Sequence, residues 1–262
     1  MTTLTYAVTD SATMLRRQFR HMLRYPSMTL MLAGMPVVFL LLFVYVFGGT
    51  LGDGIGGAGG RAEYVNYVAP GIILMTVAAA AQGTAISVAM DMTEGIIARF
   101  RTMDIARVSV LTGHVVGSLF QTLFSMAIVV GIALLVGFRP AAGLVEWIAA
   151  TGVLAMIAFA LIWFSVALGL VTKSVETASN LPMPMVLLPF LGSGFVPTDS
   201  MPAGLRWFAE YQPFTPVIET LRGLLFGTEI GDSWMFAVGW SAVIALAGYL
   251  WAKKLFNRDP IR

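Results

Sequence analysis

Cysteine is absent from the chain, which excludes disulfides, Cys-zinc sites and a thiol nucleophile. Histidine occurs twice, as His21 and His114, too few and too far apart to predict a metal site. Charge is scarce: Asp, Glu, Lys and Arg make up 11% of the residues, where globular domains carry about 25%. No G-x-x-x-x-G-K-[ST] motif occurs. The nearest approach, Gly169-Leu-Val-Thr-Lys173-Ser174, lacks the glycine before lysine, so the P-loop route to ATP is closed to this chain. No carboxylate lies deep in an apolar run, which argues against a proton- or sodium-coupled carrier needing an ionisable relay at the midplane. Gly52, Gly54 and Gly57 formally match G-x-G-x-x-G. Without a strand before them or a βαβ context they read as a flexible linker. The expectation is a protein with no catalytic residue, no metal and no cofactor of its own.

What is present is apolar. Hydrophobic residues make up 58% of the chain and the mean hydropathy is +0.82. Runs long enough to cross a bilayer recur, predicting an all-α polytopic membrane protein forming one transmembrane domain over residues 1–262. Six spans are expected, at 28–47, 65–90, 112–136, 144–171, 178–196 and 234–251. Before them, residues 11–25 place Leu15, Phe19, Met22 and Leu23 on one helical face, with Arg17, Arg20 and Arg24 on the other and Arg16 near the boundary. That pattern predicts an interfacial helix with its arginines toward anionic headgroups. The following apolar run is too long for a signal-peptide core and no Ala-x-Ala site follows it.

Two segments depart from simple spans. Residues 178–196 hold Pro182, Pro184 and Pro189, with Pro197 just beyond and Gly192 and Gly194 between. So many breakers predict a bent or interrupted helix packed against protein. Residues 197–231 then predict two short helices, one capped by Ser200 and ending near Tyr211. The other is expected to be capped by Thr215, with Pro216 at its first position and Gly227 just past its end. About eleven residues rise about 16 Å, half a bilayer, so the pair reads as a re-entrant hairpin. Its candidate outer-gate residues are Pro213, Pro216, Glu219 and Arg222. Glu219 and Arg222, one turn apart, should form an ion pair, and exchanging the two charges should partly restore function lost by neutralising either.

On six spans both termini share a side. That side carries twelve Lys and Arg: four in the N-terminus, three at 91–113, Lys173, and four in the C-terminus. The other side carries Arg61, Arg139, Arg206 and Arg222, completing the sixteen. The bias predicts cytoplasmic termini. It also puts the loop at 91–111 in the cytoplasm. Its Ile96, Ile97, Phe100, Met103 and Ile105 are too many apolar residues for a solvated loop and predict a docking surface. Polar residues within spans are mild, and most should hold helices together. Gln82, Ser87 and Asn180 are candidates for lining a substrate path. Glu146 and Trp147, at the start of the fourth span, suit headgroup depth.

The segments from Glu94-Gly95 through ARFRTMDIARVSVLTG, and FVPTDSMP followed by LRWFAEYQPFTPVIETLRGLL, resemble the permease subunits of type-2 ABC exporters. The likeness is strongest to daunorubicin-resistance-type permeases of actinobacteria, and it covers nearly the whole chain. The resemblance implies drug efflux and antibiotic resistance at the plasma membrane. It also implies a permease dimer, of two copies or of a copy and a paralogue, above two cytoplasmic ATPase subunits that bind ATP and Mg. The loop after span two would then be the coupling element, with Glu94, Gly95, Arg99, Phe100, Arg101, Met103, Ile105 and Arg107 at the contact. Nucleic acid is not an expected partner. Related permeases move lipids and polysaccharides too, but the seventeen Phe and six Trp look scattered rather than arrayed as a glycan conduit would need. Sixteen Met suit an adaptable apolar surface. The expected substrate is an amphiphilic drug or lipid; a lipid-linked glycan permease is the alternative, and a self-contained carrier or a non-transporting scaffold are further ones.

Overall fold

The computed structural model describes residues 26–54, 60–95 and 107–256. Every regular element among them is helical. Pro26–Leu41 (α1) continues through a π-helical stretch, Leu42–Phe47, into Gly48–Gly54 (α2). Arg61–Thr93 (α3), Arg107–Val136 (α4) and Leu144–Val171 (α5) follow. The region expected to break does so, into Val175–Asn180 (α6), Met183–Leu187 (α7) and a 3-10 turn, Leu188–Leu191. Residues 192–197 are non-helical. A 3-10 turn, Thr198–Ser200, then leads to Ala203–Tyr211 (α8), Phe214–Phe226 (α9) and Ser233–Phe256 (α10).

Five helices are long and apolar enough to cross a membrane: Leu32–Gly54, Arg61–Thr93, Leu111–Val136, Leu144–Val171 and Ser233–Phe256. The fourth matches its expected bounds, the first begins later than expected and runs past its end, and the other three extend beyond theirs. The interfacial helix expected at 11–25, with Arg16, Arg17, Arg20 and Arg24, lies outside the described residues.

α3 and α5 form the centre. In each, 72% of the most apolar window is buried, against 22–28% for the other three long helices. Lipid tails are as apolar as leucine, so helices here associate through close packing and small residues rather than hydrophobic exclusion. α3 supplies such a surface: Ala78, Ala81, Ala85 and Ala89 are all buried. Opposite it, a Cβ on Gly169 of α5 would come within 2.7 Å of the Ala85 carbonyl oxygen. α10 approaches α5 as closely, since a Cβ on Gly248 would meet the Phe164 nitrogen at 2.6 Å. The Trp163 and Tyr249 rings meet edge to face, 5.1 Å apart, at the same contact.

The broken segment leans on α3 at one more glycine pair. A Cβ on Gly71 would stand 2.6 Å from the Gly194 carbonyl oxygen, and neither backbone can retreat from a buried core. Gly71→Ala should therefore destabilise the protein by about 1–3 kcal/mol through overpacking. Gly34→Ala, where a Cβ would meet nothing within 4 Å, should be neutral. Heating detergent-solubilised protein and measuring the monodisperse fraction checks both; equal survival of the two variants would contradict the close contact.

Candidate functional site

The broken segment and the connector after it are tied together by one polar knot. Its first member is Gln212, between α8 and α9. Its Oε1 accepts from the Phe214 N–H (3.2 Å), and its Nε2 donates to Leu188 O (3.3 Å) and Thr215 Oγ1 (3.1 Å). Thr215 was expected to cap α9, but the helix begins at Phe214, with Pro213 in the cap position. The Thr215 hydroxyl instead accepts from the Ser193 N–H at 3.3 Å, so it ties the helix to the non-helical stretch. Gly192 has to lack a side chain here, because a Cβ would collide with Gln212 Nε2. Ser200 likewise does not cap α8; its Oγ bonds Pro197 O within the 3-10 turn, and Pro202 precedes the helix. Gly227 closes α9 as expected, in the left-handed conformation with φ 71°. At 13 residues α9 is longer than expected, yet its rise of about 20 Å still falls short of a bilayer core.

Arg222 is the second member. Nη1 donates to Glu219 Oε1 at 2.6 Å, while Nη2 donates to Ser193 O at 2.6 Å and Tyr67 O at 3.2 Å. The guanidinium also stands 3.9 Å from the centre of the Tyr67 ring. One side chain thus joins α9, the broken segment and α3. Pro70 lies one turn further on in that helix and has no N–H to give the Asn66 carbonyl. A charge at the centre of a membrane helix costs about 2.5–3.5 kcal/mol. Here a carboxylate, two carbonyls and a ring face offset it, and the side chain keeps only 11% of its exposure. Glu219, at 38%, is far more open. Ser193 Oγ and Arg222 Nε, both buried in this knot, have no protein partner.

Outside the knot, α8 presents Trp207, Phe208 and Tyr211 outward, and Trp240 of α10 donates to Tyr211 O at 3.0 Å. Arg206 bridges Glu210 (2.7 Å) and Asp199 (2.5 Å). The bond to Glu210, then the two negative charges, push its pKa above the ordinary arginine value.

At the other end of the bundle, α3 ends at Glu94, whose N–H bonds Met90 O at 2.9 Å, and Gly95 takes φ 71°. Glu94 is exposed. Arg99, Phe100, Arg101, Met103 and Ile105 lie outside the described residues, and Arg107 opens α4. Sequence reasoning missed a contact between the two stems of this loop. Asp91 Oδ2 lies 3.0 Å from His114 Nε2, with side chains only 14% and 9% exposed. The pair joins the last turn of α3 to the second turn of α4. A polar residue at the end of each flanking run was the only signal available for it. Among the described residues no cluster of His, Asp and Glu has metal-binding geometry.

Of the proposed path residues, Gln82 donates to Ser179 O at 2.5 Å and so binds α3 to α6. Ser87 is half-buried and Asn180 exposed. Thr84 and Thr122 bond the carbonyls of Ala80 and Ser118 one turn back, which satisfies them inside their own helices. The phenylalanines, in contrast, are less scattered than their sequence positions imply. Phe39 and Phe43 of α1 and its π stretch converge with Phe190 and Phe195 of the broken segment. Phe190 and Phe195 stack 4.3 Å apart at 4°, and Phe43 lies 4.6 Å from Phe195.

With this geometry in view, the ABC-2 type transporter family profile matches residues 10–226. The chain belongs to the ABC-2 type transporter family. It is similar to the daunorubicin resistance ABC transporter permease protein DrrB1 of Streptomyces coeruleorubidus, with 29% identity over 245 residues, 91% of this chain and 84% of that one. It is also similar to the probable doxorubicin resistance ABC transporter permease protein DrrC of Mycobacterium tuberculosis. There the identity is 22% over 162 residues, covering 62% of this chain and 59% of the relative. This permease is thus a transmembrane transport subunit whose relatives carry drug resistance in their names. The broken segment and α9 fall within the matched region.

Proposed function

We propose that this permease is the membrane half of an ATP-driven exporter for an amphiphilic drug or lipid-like molecule, energised by a separate cytoplasmic ATPase that binds ATP and Mg. The observation that carries the proposal is the Asp91–His114 contact, which makes one mechanical unit of the two stems flanking residues 96–106. A loop held this way transmits a push on its tip into both α3, at the centre of the bundle, and α4. Glu94, Gly95, Arg99, Phe100, Arg101, Met103, Ile105 and Arg107 would form the contact with the ATPase. The connector 197–231 would be a re-entrant hairpin closing the outer mouth, with 178–196 as the fifth, interrupted crossing of six and both termini cytoplasmic in the plasma membrane.

Transport with two-fold symmetry calls for a second permease, identical or paralogous. α1 and the π stretch after it offer a surface for it, since Leu30, Met35, Val38 and Tyr45 are all exposed. A drug or lipid is supported by the relatives' names and by the apolar in-span surface. A glycan is the second reading, favoured by the phenylalanine cluster. Those rings stack on each other and Phe195 is buried, which leaves few free faces for sugars.

The cysteine-free chain makes the arrangement testable without background. Cysteines replacing Gly57 and Ala203 should react with an impermeant thiol reagent from outside the cell. One replacing Thr102 should not, whereas Val38→Cys and Leu188→Cys should crosslink across protomers. Gly57 and Thr102 lie outside the described residues. Labelling at Thr102 in intact cells would overturn the orientation.

A further inference from the structure

A cavity of about 420 Å³ opens sideways between α4 and α5. Leu123 and Leu134 of α4 and Trp147 and Leu154 of α5 form its walls, and Ile73 and Leu225 its floor. No charged side chain lines it. The one hydroxyl, Thr151 Oγ1, is bonded to Trp147 O at 2.8 Å, so nothing inside seeks a polar ligand. From Leu123 to Leu134 the cleft rises about 16 Å, close to half of the roughly 30 Å hydrocarbon core. It therefore runs one leaflet deep, from the ends of α4 and α5 towards the midplane.

A cation stands at its rim. Arg139, in the turn joining the two helices, is exposed. It is held there by its own N–H to Asn66 Oδ1 (2.9 Å) and by Nη1 to Leu134 O (2.5 Å) and Phe138 O (2.9 Å). Leu134 is itself a wall of the cleft. Those carbonyls take only Nη1, and a guanidinium carries five donors in a fork that matches phosphate.

We infer that the cleft is a phospholipid site, one acyl chain lying between α4 and α5 and the phosphate on Arg139. An apolar slot one leaflet long with one cation at headgroup depth fits a phospholipid better than a soluble ligand, which would lose its hydration along the whole slot. Which leaflet the lipid belongs to rests on the orientation proposed above; the site itself does not. Because the lipid touches α4, whose start flanks the coupling loop, and Leu225 at the end of α9, it sits where it can brace both ends of the transport machinery.

The test is native mass spectrometry of delipidated permease titrated with dioleoylphosphatidylglycerol. A Cβ at Gly131, on the cleft wall, would meet nothing within 4 Å, so Gly131→Leu fills the slot without a clash; Ala127→Phe fills it independently. Each should lower retained lipid at least fivefold, as should Arg139→Gln, while Gly239→Leu on exposed α10 should not. Equal retention by wild type and both filled variants would overturn the site. Retention lost on filling but untouched by Arg139→Gln would overturn the phospholipid assignment and indicate a neutral amphiphile.

Discussion

Arg222→Gln should cut drug export at least tenfold in vesicles holding equal amounts of permease, whereas Glu219→Gln should cost only a few-fold. The asymmetry follows from the knot. Glutamine is too short to reach both Ser193 O and Tyr67 O, and the buried Ser193 carbonyl, which lies outside any helix, costs about 1–3 kcal/mol when left without a donor. The stacking on Tyr67, worth about 2 kcal/mol where desolvated, goes as well. Glu219 accepts a bond from Arg222, and a glutamine oxygen can still accept it. The ion pair taken alone predicts that exchanging the charges partly restores export. The structure removes that expectation, since a carboxylate at position 222 has nothing to donate to two carbonyls and would face them as a like-signed group. The exchanged double variant should be as poor as Arg222→Gln. Size-exclusion profiles separate lost export from lost folding. Wild-type export by Arg222→Gln would reduce the knot to a passive anchor.

Phe100→Ala should uncouple the complex: ATP hydrolysis continues, while drug export and its stimulation of hydrolysis fall at least tenfold. Glu94→Ala should act in the same direction, because that carboxylate is exposed at the C-cap of α3, on the stem of the loop, where a partner cation could reach it. The physical basis is leverage. On the proposed function, a large side chain filling a groove on the ATPase would carry the load, and the Asp91–His114 contact would deliver it to α3 and α4 together. Asp91→Asn keeps a hydrogen-bond acceptor for His114 and should retain more coupling than Asp91→Ala. Unchanged export and drug-stimulated hydrolysis in both Phe100→Ala and Glu94→Ala would sink the assignment of this loop.

Hydrophobic run length and helix breakers carried most of the fold into view. Leu144–Val171 was legible to the residue because Gly143 and Thr172 bound an unbroken apolar run, and Gly227 announced the end of α9 because only a left-handed position fits there. Pro182, Pro184 and Pro189 told where a helix must fail, though not the order of α6, α7 and a 3-10 turn, which depends on what packs beside each. Cap positions misled where a hydroxyl had a better tertiary partner. Thr215 looks outward to Ser193 rather than into its own helix, and Gln212, without a local signature, takes the turn. The knot was half visible: Glu219 and Arg222 are neighbours on one helix, but Tyr67 and Ser193 are far from both in the chain. The Asp91–His114 contact and the gathering of Phe39, Phe43, Phe190 and Phe195 were invisible for the same reason, since only the folded bundle makes them neighbours.

The central claim is that this chain moves its substrate with energy from another polypeptide. The direct measurement is transport by purified permease in vesicles, with and without a partner ABC ATPase, using an amphiphilic fluorescent drug. ATP-dependent transport is predicted only when both proteins are present, with no response to an imposed proton gradient. Transport by the permease alone, driven by that gradient, would contradict it.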